Sequence, residues 1–316
     1  MTGKVDLSTS VGPLQLKNPV MTASGTSGHG AELACYFDLS ELGALVVKSI
    51  AARPFPGNPA PRVAAVPSLP GAMLNSVGLQ GEGVSLWAER HLPDLEAAGC
   101  PVVVSLWGRT VAEFEEAAAA LRTALSAASS PAVVAVEVNV SCPNIEDRSR
   151  MFAHSATATG EAVAACKAAG LPLVAKMSPN TAELLEIAAA ALAAGAVGLT
   201  LVNTLLALSL DTSTRRSPLG AGGGGLSGPP LHPVALRAVH ECRVAFPGTG
   251  IVGVGGVADG DGALRMLLAG ADAVQVGTAT FADPRAPLRV LGGLAEALEQ
   301  VGASSAREVV GAAELA

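Results

Sequence analysis

Aromatic residues make up only 3% of this 316-residue chain, and charged residues only 15%. Half of the chain is hydrophobic, so a large core is expected, filled by Ala, Val, Leu and Gly instead of rings. No block of Lys or Arg is present and the net charge is −7. That excludes the basic face a nucleic-acid binder needs. Cysteines number five, Cys35, Cys100, Cys142, Cys166 and Cys242, widely spaced and with no CxxC. Free thiols in a reduced cytoplasm are therefore expected, with no zinc or iron–sulfur site on this chain. Met1 to Leu7 carries Lys4 and Asp6 and lacks the apolar stretch of a signal peptide. No uncharged apolar run is long enough to span a bilayer; Ala188 to Leu206 comes nearest and reads better as helix, turn and strand. The 36 glycines have no period, which excludes collagen and solenoid repeats.

What the chain does have is a series of short Val- and Leu-rich runs. They are Pro19 to Ser24, Ala44 to Ile50, Pro101 to Leu106, Val133 to Ser141, Leu171 to Ser178, Gly198 to Thr204, Gly250 to Gly256 and Ala273 to Ala279. Continuous apolar runs fit strands buried on both faces of a parallel sheet. Helix-like segments separate most of them. Thr110 with Glu113 opens one as a capping box. Asn180 is placed to cap a helix that Gly195 ends. Pro233 opens another, and Asp259 to Ala269 stops at Gly270. Eight strand–helix repeats predict an α/β fold, a TIM (β/α)8 barrel forming one domain over residues 1–316. An open doubly wound sheet would place a GxGxxG near the start, and none is there. The Pro- and Gly-rich stretch Ala51 to Gly83 and the stretch Thr204 to Pro233 are too long for plain connections. Both follow strand C-termini, the face where barrel active sites lie.

Chemistry-bearing residues gather at those strand ends. Gly255 and Gly256 close the seventh run, and Gly277 and Thr278 the eighth. Loops after strands 7 and 8 commonly bind phosphate through bare N–H groups; the alternative is that the glycines only end strands. Lys48 and Lys176 close the second and fifth runs. Lysines inside apolar runs suggest an anionic ligand or a reduced flavin, against the alternative of snorkelling surface side chains. Val138 to Asn144 reads Val-Asn-Val-Ser-Cys-Pro-Asn. A thiol here can serve as a proton acceptor where its surroundings favour the thiolate, or pack as a small apolar group. Asn75, Asn139, Asn144 and Asn203 point to a ligand bearing amide or imide groups. On the residues alone, a non-redox barrel that binds a phosphorylated metabolite stays open beside a flavin enzyme.

Ala23-Ser-Gly25, Val47-Lys-Ser49, Gly57 to Arg62, Met73 to Gln80, Asn139 to Asn144, Val202 to Leu205, Gly224 to Gly228, Gly253 to Val257 and Val276 to Ala279 together resemble the class 1 dihydroorotate dehydrogenases, most of all the B-type catalytic subunit. The resemblance runs over nearly the whole chain. It implies FMN held by Ser24, Lys48, Ser49, Asn139, Lys176, Val202, Gly228, Gly255, Gly256, Gly277 and Thr278, the last four around its phosphate. It implies a substrate, dihydroorotate or its product orotate, gripped by Lys48, Asn75, Ser76, Val77, Gly78, Leu79, Asn139, Asn144, Asn203 and Thr204. Cys142 would take a proton from C5 while hydride passes from C6 to flavin N5. A separate FAD and [2Fe–2S] electron-transfer subunit and a homodimer or heterotetramer are implied as partners; fumarate or a quinone is the alternative acceptor. The third run departs from the family pattern. Ser105 stands where asparagine is usual, as a shorter flavin contact, and Trp107 where a small residue is usual. Trp107 would either reshape the site or pack between helices, and it keeps open a paralogue that has kept FMN but acts on another cyclic imide or alkene, uracil for instance. Glu146 to Arg150, in the segment the family uses as a lid, also differs in charge.

Overall fold

Each of the eight apolar runs forms a strand, and the strands are parallel. They are β1 (Val20–Thr22), β2 (Leu45–Val46), β3 (Val102–Leu106), β4 (Val133–Asn139), β5 (Leu173–Lys176), β6 (Gly198–Leu201), β7 (Gly250–Val254) and β8 (Ala273–Val276) in the computed structural model, which describes residues 5–147 and 150–314, with only the backbone of 143–145. Their spatial order is β1-β8-β7-β6-β5-β4-β3-β2. A parallel bridge between Met21 and Ala44 joins the two ends, with Gly43 N donating to Val20 O at 2.9 Å. The result is the expected TIM barrel.

The core has two parts because each strand is buried twice. Val46, Val103, Ala135, Val174 and Val252 face inward and meet Val11, Leu14 and Leu16. Those three belong to an N-terminal hairpin, Thr9–Val11 with Leu14–Leu16, that plugs the barrel floor. The outward-facing side chains, with Trp87, Phe114, Leu121, Ile187 and Leu294, form the larger layer under the helices. Those helices are α1 (Val84–Ala97), α2 (Val111–Ala128), α3 (Ala156–Cys166), α4 (Leu184–Ala193), α5 (His232–Ala245), α6 (Gly260–Ala269), α7 (Ala279–Ala282) and α8 (Ala286–Gln300). Between β1 and β2 only two 3-10 turns stand, Glu32–Cys35 and Leu39–Glu41. Among the described residues no helix is long and apolar enough to cross a membrane.

The caps mostly follow the sequence. Thr110 accepts from Glu113 N, and Asp259 from Gly262 N. The Glu113 carboxylate bonds the N–H of Arg109, one residue before the cap. Asn180 corrects the expectation of a cap: α4 starts later, at Leu184. The Asn180 amide instead donates to Ser178 Oγ and Thr204 O, and its oxygen accepts from Leu206 N. It therefore ties the end of β5 to the loop after β6.

The two long insertions meet each other. Val63–Ala65 and Met73–Asn75 come from the first, Leu205–Ala207 and Gly224–Ser227 from the second. They pair antiparallel in the order 205–207, 224–227, 73–75, 63–65. This small sheet covers the C-terminal mouth of the barrel and carries Asn75 opposite Gly225.

Candidate active site

Between mouth and cover lies a cavity of about 690 Å³. Nearly every residue singled out from the sequence lines it. Ser24, Lys48, Ser49, Asn139, Lys176, Val202, Asn203 and Thr204 come from strand ends or the residues just after them, and Gly255, Gly256, Gly277 and Thr278 close one side. Asn75, Ser76, Val77, Gly78, Leu79 and Gly228 come from the cover. Strand alternation places Asn139 and Lys176, the last residues of β4 and β5, on the inward face with Ala135 and Val174; the others follow their strand ends and line the same space.

Glycine is needed at two of these positions. Gly256 has φ +69, and a Cβ there would lie 2.7 Å from His232 Cβ and 2.9 Å from Gly228 O. Gly255 has φ +136, and its Cβ would meet Ala235 Cβ at 2.8 Å. The backbone after β7 is thus folded tightly against the start of α5, leaving main chain instead of side chain at the cavity.

Asn139 is the hub of the opposite wall. Its amide donates to Ser49 Oγ at 3.1 Å, and its oxygen accepts from Ser141 N at 3.1 Å and Asn203 Nδ2 at 3.3 Å. Ser49 shares hydrogen bonds with Ser24 and Ser105 at 3.3 and 2.8 Å. Asn203 also accepts from Thr204 N at 2.8 Å. Asn58, given no role of its own within the 57–62 motif, donates to Ser76 Oγ at 2.9 Å and braces the 75–79 segment. Lys48 bonds Gln80 O. Burial, and then the nearby Arg62 charge, bring the Lys48 ammonium down to about 8.

Two sequence expectations land elsewhere, and a third had two readings. Ser105 is fully buried and reaches the cavity only through Ser49. Trp107 is also buried off the cavity, edge-on to Phe55 at 5.2 Å; of its two readings, packing is the one observed. Cys142 is fully buried and not part of the cavity wall, while its neighbour Ser141 is. The Cys142 thiol donates to Gly108 O at 3.0 Å and Asn139 O at 3.3 Å, and burial pushes it up to about 12. The Asn144 side chain lies outside the described residues, as do Arg148 and Ser149 of the expected lid. The described part of that lid is a hairpin, Pro143–Asn144 with Arg150–Met151. Its base is closed by Phe152 N to Cys142 O and Ala153 N to Val140 O.

Two residues beneath the cavity were missed. Glu137 and Gln275 are 1% exposed. Gln275 Nε2 donates to Glu137 Oε2 at 2.8 Å, and Lys176 Nζ donates to Gln275 Oε1 at 3.0 Å. Lys176 Nζ also stands 3.5 Å from Glu137 Oε1. A signal was present in the sequence: Glu137 sits inside an apolar run, two positions before Asn139, and so shares its face.

Comparison with known proteins gives a consistent result. The family described as Dihydroorotate dehydrogenase matches residues 6–298. The dihydroorotate dehydrogenase B (NAD(+)), catalytic subunit, of Geotalea uraniireducens (strain Rf4) is 42% identical over 311 residues, covering 98% of this chain and 99% of that protein. The protein of the same description from Desulforamulus reducens (strain ATCC BAA-1160 / DSM 100696 / MI-1) is 41% identical over 315 residues, 99% of this chain and 100% of its own length. That from Geotalea daltonii (strain DSM 22248 / JCM 15807 / FRC-32) is 40% identical over 313 residues, 99% of each chain.

Proposed function

The chain belongs to the dihydroorotate dehydrogenase family, and from that premise we propose that it oxidises dihydroorotate to orotate in pyrimidine biosynthesis, with FMN bound in the cavity at the barrel mouth. One observation carries the reading. A single cavity of about 690 Å³ joins a glycine-lined side, Gly255, Gly256, Gly277 and Thr278, to an amide-lined side, Asn75, Asn139 and Asn203. Its size lies within the range of cofactor sites, roughly 300–1,000 Å³. Main chain exposed by glycine suits a phosphate, and amides suit the C=O and N–H groups of a pyrimidine.

When bound, FMN would supply the acceptor for the hydride that leaves C6. The protein does the rest. Gly255, Gly256, Gly277 and Thr278 would hold the FMN phosphate. Ser24, Ser49, Val202 and Gly228 would bound the rest of the cofactor, and Lys48, Asn139 and Lys176 would contact it. Asn75 to Leu79, Asn203 and Thr204 orient the substrate, with Asn144 assigned from the motif alone. Lys48 offers a positive charge to the substrate carboxylate. Cys142 takes the C5 proton, so that one proton and one hydride leave and the C5–C6 double bond forms. Because the thiol is buried and bonded to Gly108 O, this role requires it to turn toward the substrate.

The relatives named above are catalytic subunits linked to NAD(+). We infer that this chain likewise passes electrons to a separate subunit carrying FAD and a [2Fe–2S] cluster, as a homodimer core or heterotetramer. The test is anaerobic flavin reduction. Protein reconstituted with FMN is expected to be yellow and to bleach when dihydroorotate is added. Protein that does not take up FMN overturns the flavin reading. Yellow protein bleached by dihydrouracil but not by dihydroorotate replaces the substrate.

A further inference from the structure

Glu137 is a carboxylate buried inside the barrel, directly beneath a ligand cavity. Buried ion pairs contribute little to stability compared with well-packed apolar residues, so packing alone does not account for it. The bonding pattern is directional. A carboxylate only accepts and an ammonium only donates, so Gln275 must turn its NH2 to Glu137 and its oxygen to Lys176, as it does at 2.8 and 3.0 Å. Lys176 Nζ thus donates to the amide oxygen at 3.0 Å and pairs with Glu137 Oε1 at 3.5 Å. Asn139 and Lys176 line the cavity, while Glu137 and Gln275 do not. Glu137 is in register with Val174, two residues before Lys176 on β5. The Glu137 backbone therefore lies two residues below that of Lys176 along the barrel.

We propose that Glu137 and Gln275 are positioning residues that hold the Lys176 ammonium up at the cavity floor and offset its charge, thereby setting the reduction potential of the bound flavin. This rests on the FMN reading above. A reduced flavin carries negative charge that a nearby cation stabilises, so the potential rises with the positive charge that Lys176 presents. Glu137 lowers that charge; Gln275 prevents Lys176 from collapsing onto Glu137.

The two residues thus act in opposite senses, which a merely structural role would not produce. The experiment is the anaerobic midpoint potential of FMN-loaded wild type, Glu137→Gln and Gln275→Leu at one pH. Glu137→Gln is expected to shift the potential upward, because the offset is lost. Gln275→Leu is expected to shift it downward, because the ammonium retracts toward Glu137. Unmoved potentials, or shifts of the same sign, overturn the proposal. Should Glu137→Gln fail to fold, the sign for Gln275→Leu decides alone. Wild type that does not bind FMN would instead overturn the flavin reading, and this proposal with it. Wild type that is bleached by dihydroorotate while both variants keep its potential overturns this proposal only.

Discussion

The Cys142 thiol donates to the carbonyl oxygen of Gly108 at 3.0 Å, which fastens the segment after β4 to the end of β3. A thiol so placed is protonated, because burial pushes it up to about 12. Cys142→Ala is expected to keep the fold and bind FMN, yet to slow flavin reduction by dihydroorotate about 10²–10⁴-fold, the usual contribution of a positioned base. In the wild type the rate is expected to climb with pH, approaching about tenfold per unit while the thiol lies below its pKa. Stopped-flow reduction in both proteins checks this. A wild-type rate that ignores pH, or a near-normal rate in the variant, removes Cys142 from the chemistry.

Lys48 supplies a second pH dependence of opposite sense. Its ammonium is brought down to about 8 by burial and by Arg62, so it is charged below that pH and neutral above. An anion bound beside it stabilises the charged form. Orotate is therefore expected to bind tightly below pH about 8 and to weaken above it, up to about tenfold per unit. Titrating the FMN-loaded protein with orotate across this range measures the effect. In Lys48→Met the affinity is expected to be lower and flat with pH. A slope that survives in the variant assigns the titration to another group.

The barrel was legible because its strands are buried on both faces, and burial on both faces leaves an apolar run that composition alone reveals. The glycines after β7 and β8 and the asparagines at strand ends were legible through position in that repeat. The covering sheet was not. Its strands are three or four residues long, Val63–Ala65 is partly exposed, and Asn75 bonds Gly225 across 150 positions. Nothing local marks such a strand. Side-chain direction was also lost where alternation stops. Strand β4 ends at Asn139, so pattern alone does not decide which of Ser141 and Cys142 faces the cavity. Asn180 shows a third limit: an amide suited to capping a helix is equally suited to bridging two loops.

Ser49 and Ser105 separate cofactor contact from support. Ser49 lines the cavity, and Ser105 sits behind it at 2.8 Å. Ser49→Ala is expected to weaken FMN binding. Ser105→Ala is expected to cost about 1 kcal/mol of stability, the net worth of one hydrogen bond, while FMN affinity stays within about twofold, under 0.5 kcal/mol. Fluorescence titration with FMN and thermal unfolding of the apoproteins read the two effects apart. A larger loss of FMN affinity in Ser105→Ala than in Ser49→Ala would put the contact on Ser105.

Trp107 is the departure from the family pattern that raised the question of a changed substrate. Its ring is edge-on to Phe55 at 5.2 Å, and the Arg109 guanidinium covers the Phe55 ring at 5.3 Å. Among the described residues its Nε1 has no hydrogen-bond partner despite being buried. The indole therefore fills space behind the cavity and contributes no polar group to it. Trp107→Phe removes an unsatisfied N–H, a gain of about 1–3 kcal/mol, and leaves a small void, a loss of similar size. The stability change is accordingly expected to stay under about 1 kcal/mol. kcat/KM for dihydroorotate is expected to stay within about threefold, less than 1 kcal/mol of transition-state stabilisation. Steady-state kinetics with dihydroorotate and dihydrouracil tests both parts. A tenfold loss with dihydroorotate, or a turn toward dihydrouracil, would show that the indole shapes the pocket from behind and would make the third strand a determinant of specificity.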